Sequence, residues 1–569
     1  MQKRKILLIA ASFIFISAIT FFRANYLCTT IVDDAFIFFR YAGNIFSGHG
    51  FVWNLGEAPV EGYSSFLYLI VLTGGRFLTS DLVSFSIIFG IICSVFTLYF
   101  SFLIYELIYP DLITENCFTI FLIAVSPVFV YWSASGMDSI FYSTFLLFTI
   151  FIYLKLPATN ISSFLKGILF GFLCMIRFEG LLIVLFIFSH QFFIILRNNI
   201  SGISPVEVDL AETNVSKGSF VKLFLTAIGF VIIFGTYFTW RWHYFGYFLP
   251  NTFYAKVGDS FSQLIGGFIY LLNSFRVFYG LGWLPIIFVL LFFRLKMLSA
   301  KARLVIELLL VSILGTTLIG GDHFFPGRFI LPVFPLLFVV FPPAFKKFLL
   351  SAEFRHKTFG TNRFYIRKLF PIKIKPKHIL LVFSIIIFIV LIDKPVYKET
   401  VGGIANLINN KKEIVIVRDD AKKEYVVEWQ QAFILMGKAL KKIGSKNQYI
   451  AAVPIGAIGY YSNMKVIDMV GIVNPVIGHE KFSKKYLKKW LPGHEKGDGK
   501  YILSRKPEYI QLTNYLTRKP REIPDSLEFR FKSVNEIWNS KEFRKDYKHI
   551  WIQVTKGWYY NLYKRKDFN

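Results

Sequence analysis

Asp33-Asp34-Ala35-Phe36-Ile37, Arg40-Tyr41-Ala42, Asn44, Gly48-His49-Gly50, Asn54, Gly56-Glu57 and Glu61-Gly62-Tyr63-Ser64 follow one another between the first two hydrophobic segments of the chain. Adjacent carboxylates, an arginine, a histidine, glycine turns and two glutamates fall within roughly thirty residues, and such groups are costly to hold beside a bilayer unless something uses them. This stretch turns a hydrophobic sequence into one that carries chemistry at a membrane face.

The surrounding chain is built for lipid. Its 569 residues are 54% hydrophobic and 19% aromatic, with 66 Phe, and mean hydropathy is +0.51. Soluble domains sit near about 45–50% apolar, and here the excess lies in runs long enough to cross about 30 Å of hydrocarbon. The +28 charge fits basic loops on the inner face and contact with anionic lipid. Nucleic acid is excluded as a partner, because no basic patch is interleaved with base-stacking aromatics outside the apolar runs. Cys28, Cys93, Cys117 and Cys174 have neither metal-ligand spacing nor a disulfide pattern. Lys3-Arg4-Lys5 before Ile6–Phe22 has the look of a signal peptide. The run is longer than an h-region and lacks a small-residue cleavage site, so an uncleaved first span is expected.

Apolar runs lie near 6–23, 64–79, 82–109, 117–132, 139–155, 164–176, 179–196, 220–242, 264–275, 280–295, 303–320, 328–346 and 378–393. The short, interrupted runs 64–79 and 264–275 read as interfacial helices, which leaves about eleven spans with the N-terminus inside. Basic residues support this direction: Lys155, Lys166, Arg197, Lys217, Lys222, Arg294, Lys296, Lys301 and Arg303 fall on inner loops. The inner loop 346–378 adds about ten more. The expected fold is a polytopic α-helical membrane protein over 1–393, with a first outer loop at 24–81. A C-terminal soluble α/β domain outside the membrane covers 394–569. Within that tail a helix is expected at Glu424–Lys442, and strands at Tyr449–Val453, Lys465–Met469, Tyr509–Leu512 and His549–Thr555. The segment Gly202–Gly218 reads as a flexible linker.

With that orientation, the polar clusters fall on one face. They are the first loop, Ser135–Asp138, Arg177–Gly180, Pro250–Lys256 and Gly320–Arg328. The spans are nearly free of mid-depth charge, which favours chemistry at the surface over transport. Paired carboxylates such as Asp33-Asp34 can act as general base toward a hydroxyl or bind a divalent cation, Mg or Mn. They can equally be loop solvation. Arg40, Lys256 and Arg328 suit a phosphate, the arginines through a bidentate fork. Arg177-Phe178-Glu179 is either part of a site or an interfacial salt bridge. Asp322-His323 is a weak metal-ligand pair, and His49 between glycines reads more simply as a turn residue. Aromatic residues near these loops, Tyr63 and Tyr254 among them, belong to the interfacial belt or stack on sugar rings. In the tail, Ile455–Gly459 lacks the spacing of a dinucleotide fingerprint. His494, Glu495 and Asp498, framed by glycines, suit either an exposed turn or an acceptor glycan.

In their order along the chain, the first loop, Arg177–Gly180, Pro250–Lys256, Gly320–Arg328, Asp468–Gly471 and Gly493–Gly499 together resemble the C-type (GT-C) membrane glycosyltransferases. The nearest branch is the mycobacterial-type terminal arabinofuranosyltransferases and their bacterial relatives. The resemblance implies a polyprenyl-phosphate sugar donor, a glycan or glycolipid acceptor, a bacterial inner-membrane location and a tail outside the membrane. It further implies that Asp33 or Asp34 is the base, with the Asp138 loop opposite it; of the two, Asp33 is the one expected here. Arg177, Lys256 or Arg328 would then face the lipid phosphate, with Arg40 as a further candidate. His49, Glu57, Glu61, Tyr63, Asp138, Glu179, Asn251, Tyr254, Asp322, His323, His494 and Asp498 are the candidate substrate contacts. The alternatives are a ligase moving a preassembled glycan from undecaprenyl pyrophosphate, a lipid-linked-sugar transporter and an envelope scaffold.

Overall fold

The computed structural model describes residues 31–110, 112–124, 126–201, 218–256, 258, 260–279, 299–322, 327–340, 416–419, 424–427, 429–481, 494–520 and 531–568. The expected spans at 6–23, 280–295 and 378–393, the basic loop 346–378, nearly all of the linker, and His323 lie outside these residues.

Helix α1 (Asp33–Phe46) opens on two aspartates in its first turn, where carboxylates meet the positive end of the helix dipole. It stops where Gly48 and Gly50 both take φ of 78°, a conformation that costs any other residue. His49, exposed between them, is a turn residue in this geometry. Helix α2 (Phe66–Gly75) has ten residues, about 15 Å, too short to cross a bilayer. Asp81 then caps α3 (Leu82–Ile108) by accepting from Val83 and Ser84 N–H.

The run 117–132 is not one span. It divides into α4 (Ile113–Ala124) and α5 (Pro127–Ser133), with Pro127 at the first position of the second helix. Proline has no N–H to continue a helix but suits the start of one. Helices α6 (Ser139–Lys155) and α7 (Asn160–Ile176) follow, then α8 (Gly180–Ser201) and α9 (Ser219–Phe245). Helix α9 contains a π turn at Val231–Gly235. Helix α10 (Asn251–Lys256) is short. Helix α11 (Ser260–Tyr279) is longer than the expected 264–275 segment, and α12 (Ala300–Ile319) closes this part. By length and composition α3, Gly180–Arg197 of α8, α9 and α12 can cross a membrane. Helices α4, α6 and α7 are apolar but shorter. Helices α7 and α9 cross at backbone contact: a Cβ on Gly167 would lie 2.0 Å from the Thr226 carbonyl, and one on Gly229 2.3 Å from that of Phe164. Small residues permit such an approach where there is no water to drive helices together.

The tail begins with a hairpin, β1 (Ile416–Asp419) against β2 (Glu424–Val427), then α13 (Trp429–Ile443). The expected helix from Glu424 therefore starts later; Tyr425-Val426-Val427 is β-favouring and pairs as a strand. The chain continues through β3 (Tyr449–Ala452), α14 (Gly456–Ser462), β4 (Lys465–Asp468), α15 (Pro475–Gly478), α16 (Gly499–Ser504) and β5 (Tyr509–Ile510). It ends in α17 (Lys532–Trp538), α18 (Lys541–Asp546), β6 (Tyr547–Thr555) and β7 (Trp558–Arg565). The sheet order is β4-β3-β5-β7-β6. Strand β3 runs parallel to β4 and β5, while β7 is antiparallel to β5 and β6. Strand β7 went unexpected, because Trp558–Arg565 does not alternate cleanly. One core cluster takes in Phe36, Tyr41 and Trp53 of the first loop and Ile455, Ile458 and Val466 of the tail. The tail is thus packed on the first loop through buried apolar surface.

Candidate active site at the first-loop junction

The polar clusters at 33–64, 135–138, 177–180 and 320–328 meet. At their centre Arg328 lies 3.5 Å from Asp34, 3.4 Å from Asp138 and 3.3 Å from Asp322. Asp138 also accepts from Arg177 at 3.3 Å, and Arg177 donates to Glu179 at 2.8 Å. The result is a chain of charges, Asp34–Arg328–Asp138–Arg177–Glu179. Asp138 is fully buried and both guanidiniums are 4% exposed, whereas Asp34 at its end is 21% exposed and Glu179 27%. The two ends are therefore more open than the middle, where Arg177 still borders the cleft described next. Burial alone would raise the Glu179 carboxyl; Arg177 beside it holds it below the ordinary carboxylate range. Phe329 lies under Arg177, 4.9 Å from its guanidinium carbon, a cation–π arrangement.

A narrow cleft lies at Arg177 and Glu179. Leu146 of α6, Leu182 and Ile183 of α8, and Val311 and Gly315 of α12 line it, with Phe329 and Val333 completing the wall. Its walls are mainly apolar, with the hydroxyls of Tyr142, Ser312 and Thr316 among them, and it is charged at one end. Further down the same helices His190 faces Glu307 at 3.6 Å. Spans α8 and α12 therefore carry one mid-depth ionisable pair, a departure from the expectation of spans nearly free of charge.

The two aspartates of the first loop have different surroundings. Asp33 is 8% exposed, and its two oxygens accept from the Gly456 and Ala457 N–H groups at 2.9 and 2.8 Å. Burial pushes its carboxyl up to about 6, against those hydrogen bonds. Asp34, one residue on, faces Arg328. Arg40, expected to face a phosphate, is instead engaged by protein: it donates to the carbonyls of Trp53, Gly459 and Met464 and to Asn54 Oδ1. With Nε and both Nη atoms engaged, it has no fork left for a ligand.

Several expected substrate contacts are also structural. Glu57 accepts from Tyr449 at 2.8 Å and Arg505 at 2.6 Å in the tail, as well as from Asn54. Glu61 makes a buried bidentate pair with Arg241. Asn251 donates to the Gly471 and Ile472 carbonyls at 2.8 and 2.7 Å. Asp498 caps α16 through Tyr501 N–H. Tyr63 is buried against Tyr41, 5.0 Å between rings. Tyr254 stacks at 4.1 Å on His479, and His494 lies 5.6 Å from Phe531. Lys256, half-buried, makes no ion pair with another described residue. Sequence reasoning missed Arg241, although a guanidinium between Trp240 and Trp242 at the end of an apolar run was the available signal. It also did not single out Asn54, which bridges Arg40 to β4 by exchanging hydrogen bonds with Val466 N–H and C=O.

Among the described residues no group of three or more His, Cys, Asp or Glu side chains is arranged to hold a metal ion.

A family model described as a domain of unknown function (DUF8728) matches residues 419–563. No curated protein matches the chain in sequence. Among solved structures, the chain is similar to the oligosaccharyltransferase of Archaeoglobus fulgidus in its apo form, at 12% identity and TM-score 0.49, covering 95% of this chain and 73% of that one. It is likewise similar to AglB of the same organism in complex with an inhibitory peptide and a dolichol-phosphate (12%, TM-score 0.48, 88% and 69%). A third similarity is to ArnT of Cupriavidus metallidurans bound to undecaprenyl phosphate (11%, TM-score 0.47, 81% and 85%).

Proposed function

We propose that this protein is a membrane glycosyltransferase that moves a sugar from a polyprenyl-phosphate carrier to a hydroxyl of a cell-envelope glycan or glycolipid. The observation that carries this reading is the joining of two features: an apolar cleft between membrane helices, and a buried charge network that begins at its polar end and finishes on a part-exposed carboxylate. An isoprenoid chain suits the apolar walls, and its phosphate suits Arg177 at the charged end. Asp34 is the proposed base. Unlike Asp33 it is not enclosed by backbone donors, and its contact with Arg328 is long, at 3.5 Å.

In the proposed step an acceptor hydroxyl gives its proton to Asp34 as its oxygen attacks the anomeric carbon. The bond from that carbon to the carrier phosphate oxygen breaks, and the electron pair leaves with the phosphate, which Arg177 and Arg328 stabilise. Attack opposite the leaving group inverts the anomeric centre. The location is a bacterial inner membrane, with the tail on the outer side.

Membranes containing the protein are incubated with candidate polyprenyl-phosphate sugars, arabinofuranosyl first, with and without a chelator, and products are identified by mass spectrometry. A new glycoside with one donor is the expected result. Movement of lipid-linked sugar across the membrane without a covalent product would replace the reading with transport.

A further inference from the structure

We infer that Asp33 and Arg40 form a two-point clamp on helix α14 of the tail, and that Asp33 is a positioning residue for the carboxylate at Asp34. The inference rests on the reading of Asp34 as the base. Asp33 and Arg40 are seven residues apart, two turns along one face of α1. Asp33 takes the Gly456 and Ala457 N–H groups at the start of α14, donors that a helix leaves unpaired at that end. Arg40 takes the Gly459 carbonyl at 2.7 Å and, beyond the helix, the Met464 carbonyl at 2.9 Å. The same short helix is therefore gripped by an anion at its start and a cation toward its end, each matching the backbone polarity it meets.

The glycines of Ile455–Gly459 explain themselves in this contact. A Cβ on Gly456 would lie 1.9 Å from the Asp33 carbonyl oxygen, and one on Gly459 3.0 Å from both Arg40 Nη1 and Trp53. Helix α14 lies against α1 because those two positions have no side chain. The spacing that fits no nucleotide fits a helix–helix clamp. Asp34 is rotated by about 100° from Asp33 around α1, so the clamp that faces Asp33 to the tail turns Asp34 toward Arg328. Both Asp33 oxygens accept from backbone amides of the tail, which hold the carboxylate toward α14 and away from Arg328.

The test uses the full-length protein in detergent, comparing Asp33→Asn, Gly459→Ala and Asp34→Asn with wild type. Amide hydrogen exchange is followed over residues 455–463, and transfer activity is measured across pH. Asp33→Asn and Gly459→Ala are expected to exchange faster there by on the order of tenfold or more, with a lowered kcat and the wild-type shape of the pH profile. Asp34→Asn is expected to keep wild-type exchange and lose transfer. Unchanged exchange in Asp33→Asn together with lost transfer would overturn the clamp and make Asp33 chemical. Faster exchange with wild-type kcat would overturn the positioning role. If Asp33→Asn does not fold, Gly459→Ala decides the same points. The exchange measurement needs no substrate, so it supports or overturns the clamp even if no glycosyl donor is found.

Discussion

Asp33 and Asp34 are chemically identical neighbours, and the difference between them lies in what each side chain meets. Replacing a positioned general base typically costs about 10²–10⁴ in rate. Asp34→Asn is therefore expected to lower kcat by that order in the membrane assay, with normal insertion and expression. Near wild-type turnover in that variant would remove Asp34 from the mechanism. Asp468 gives a separate, pH-dependent prediction. It is fully buried and accepts from Val470 and Val473 N–H at 2.9 Å each, yet burial pushes its carboxyl up to about 6 from 3.8. A folded-state pKa above the unfolded value means that the folded protein binds the proton more tightly. Its contribution to stability is thus greatest below about pH 4, declines as pH rises toward about 6 and is flat beyond. A shift of that size corresponds to about 3 kcal/mol. The difference in Tm between wild type and Asp468→Asn should fall across this window; a difference independent of pH would contradict it. Sequence marked Asp33-Asp34 as a candidate pair, with loop solvation as the other reading. It did not show which was which, since the donors that engage Asp33 lie more than four hundred residues away.

At the scale of elements, the legible parts were those with a strong local signal. The long run of α3, the tail strands β3 and β4, and the shortness of α2 all follow from alternation or run length. The break between α4 and α5 was marked by Pro127 but hidden by continuous hydrophobicity. Helix α13 was placed too early because β2 precedes it without a turn signal. Of the five polar clusters that the sequence grouped on one face, the ion network joins four. The crossing of α7 and α9 yields the clearest element-level prediction. Gly167→Val would drive side-chain carbons into the Thr226 carbonyl, which a Cβ alone would approach to 2.0 Å. Overpacking of this kind costs about 1–3 kcal/mol. A lower Tm in detergent is expected, along with faster exchange along both helices; an unchanged Tm would show that the crossing yields freely.

For the molecule as a whole, the decisive fact is that the first loop and the tail share a core. Glu61 and Arg241 pin the loop to α9 from the membrane side, with 3% and 0% side-chain exposure. Removing one partner of a buried pair leaves an uncompensated charge and costs about 3–5 kcal/mol. Glu61→Ala should therefore reduce the yield of folded protein sharply, while Glu61→Ala with Arg241→Met recovers part of it. A single variant as stable as wild type would show that water reaches the pair.

The shared core also sets an order of events during synthesis. Asp33 finds its amide partners 423 and 424 positions later, and Trp53 its carbonyl partner 413 positions later. At about 5–20 residues per second the ribosome needs roughly 20–85 s to make the intervening chain. Throughout that interval Phe36, Tyr41 and Trp53 have no tail to cover them. The newly inserted loop must be shielded by the membrane surface or by a chaperone until the residues from Gly456 to Val466 emerge. A chain terminated before residue 455 is expected to insert its helices, then be degraded as an aromatic-exposing intermediate, measurable as a shortened half-life in pulse–chase labelling.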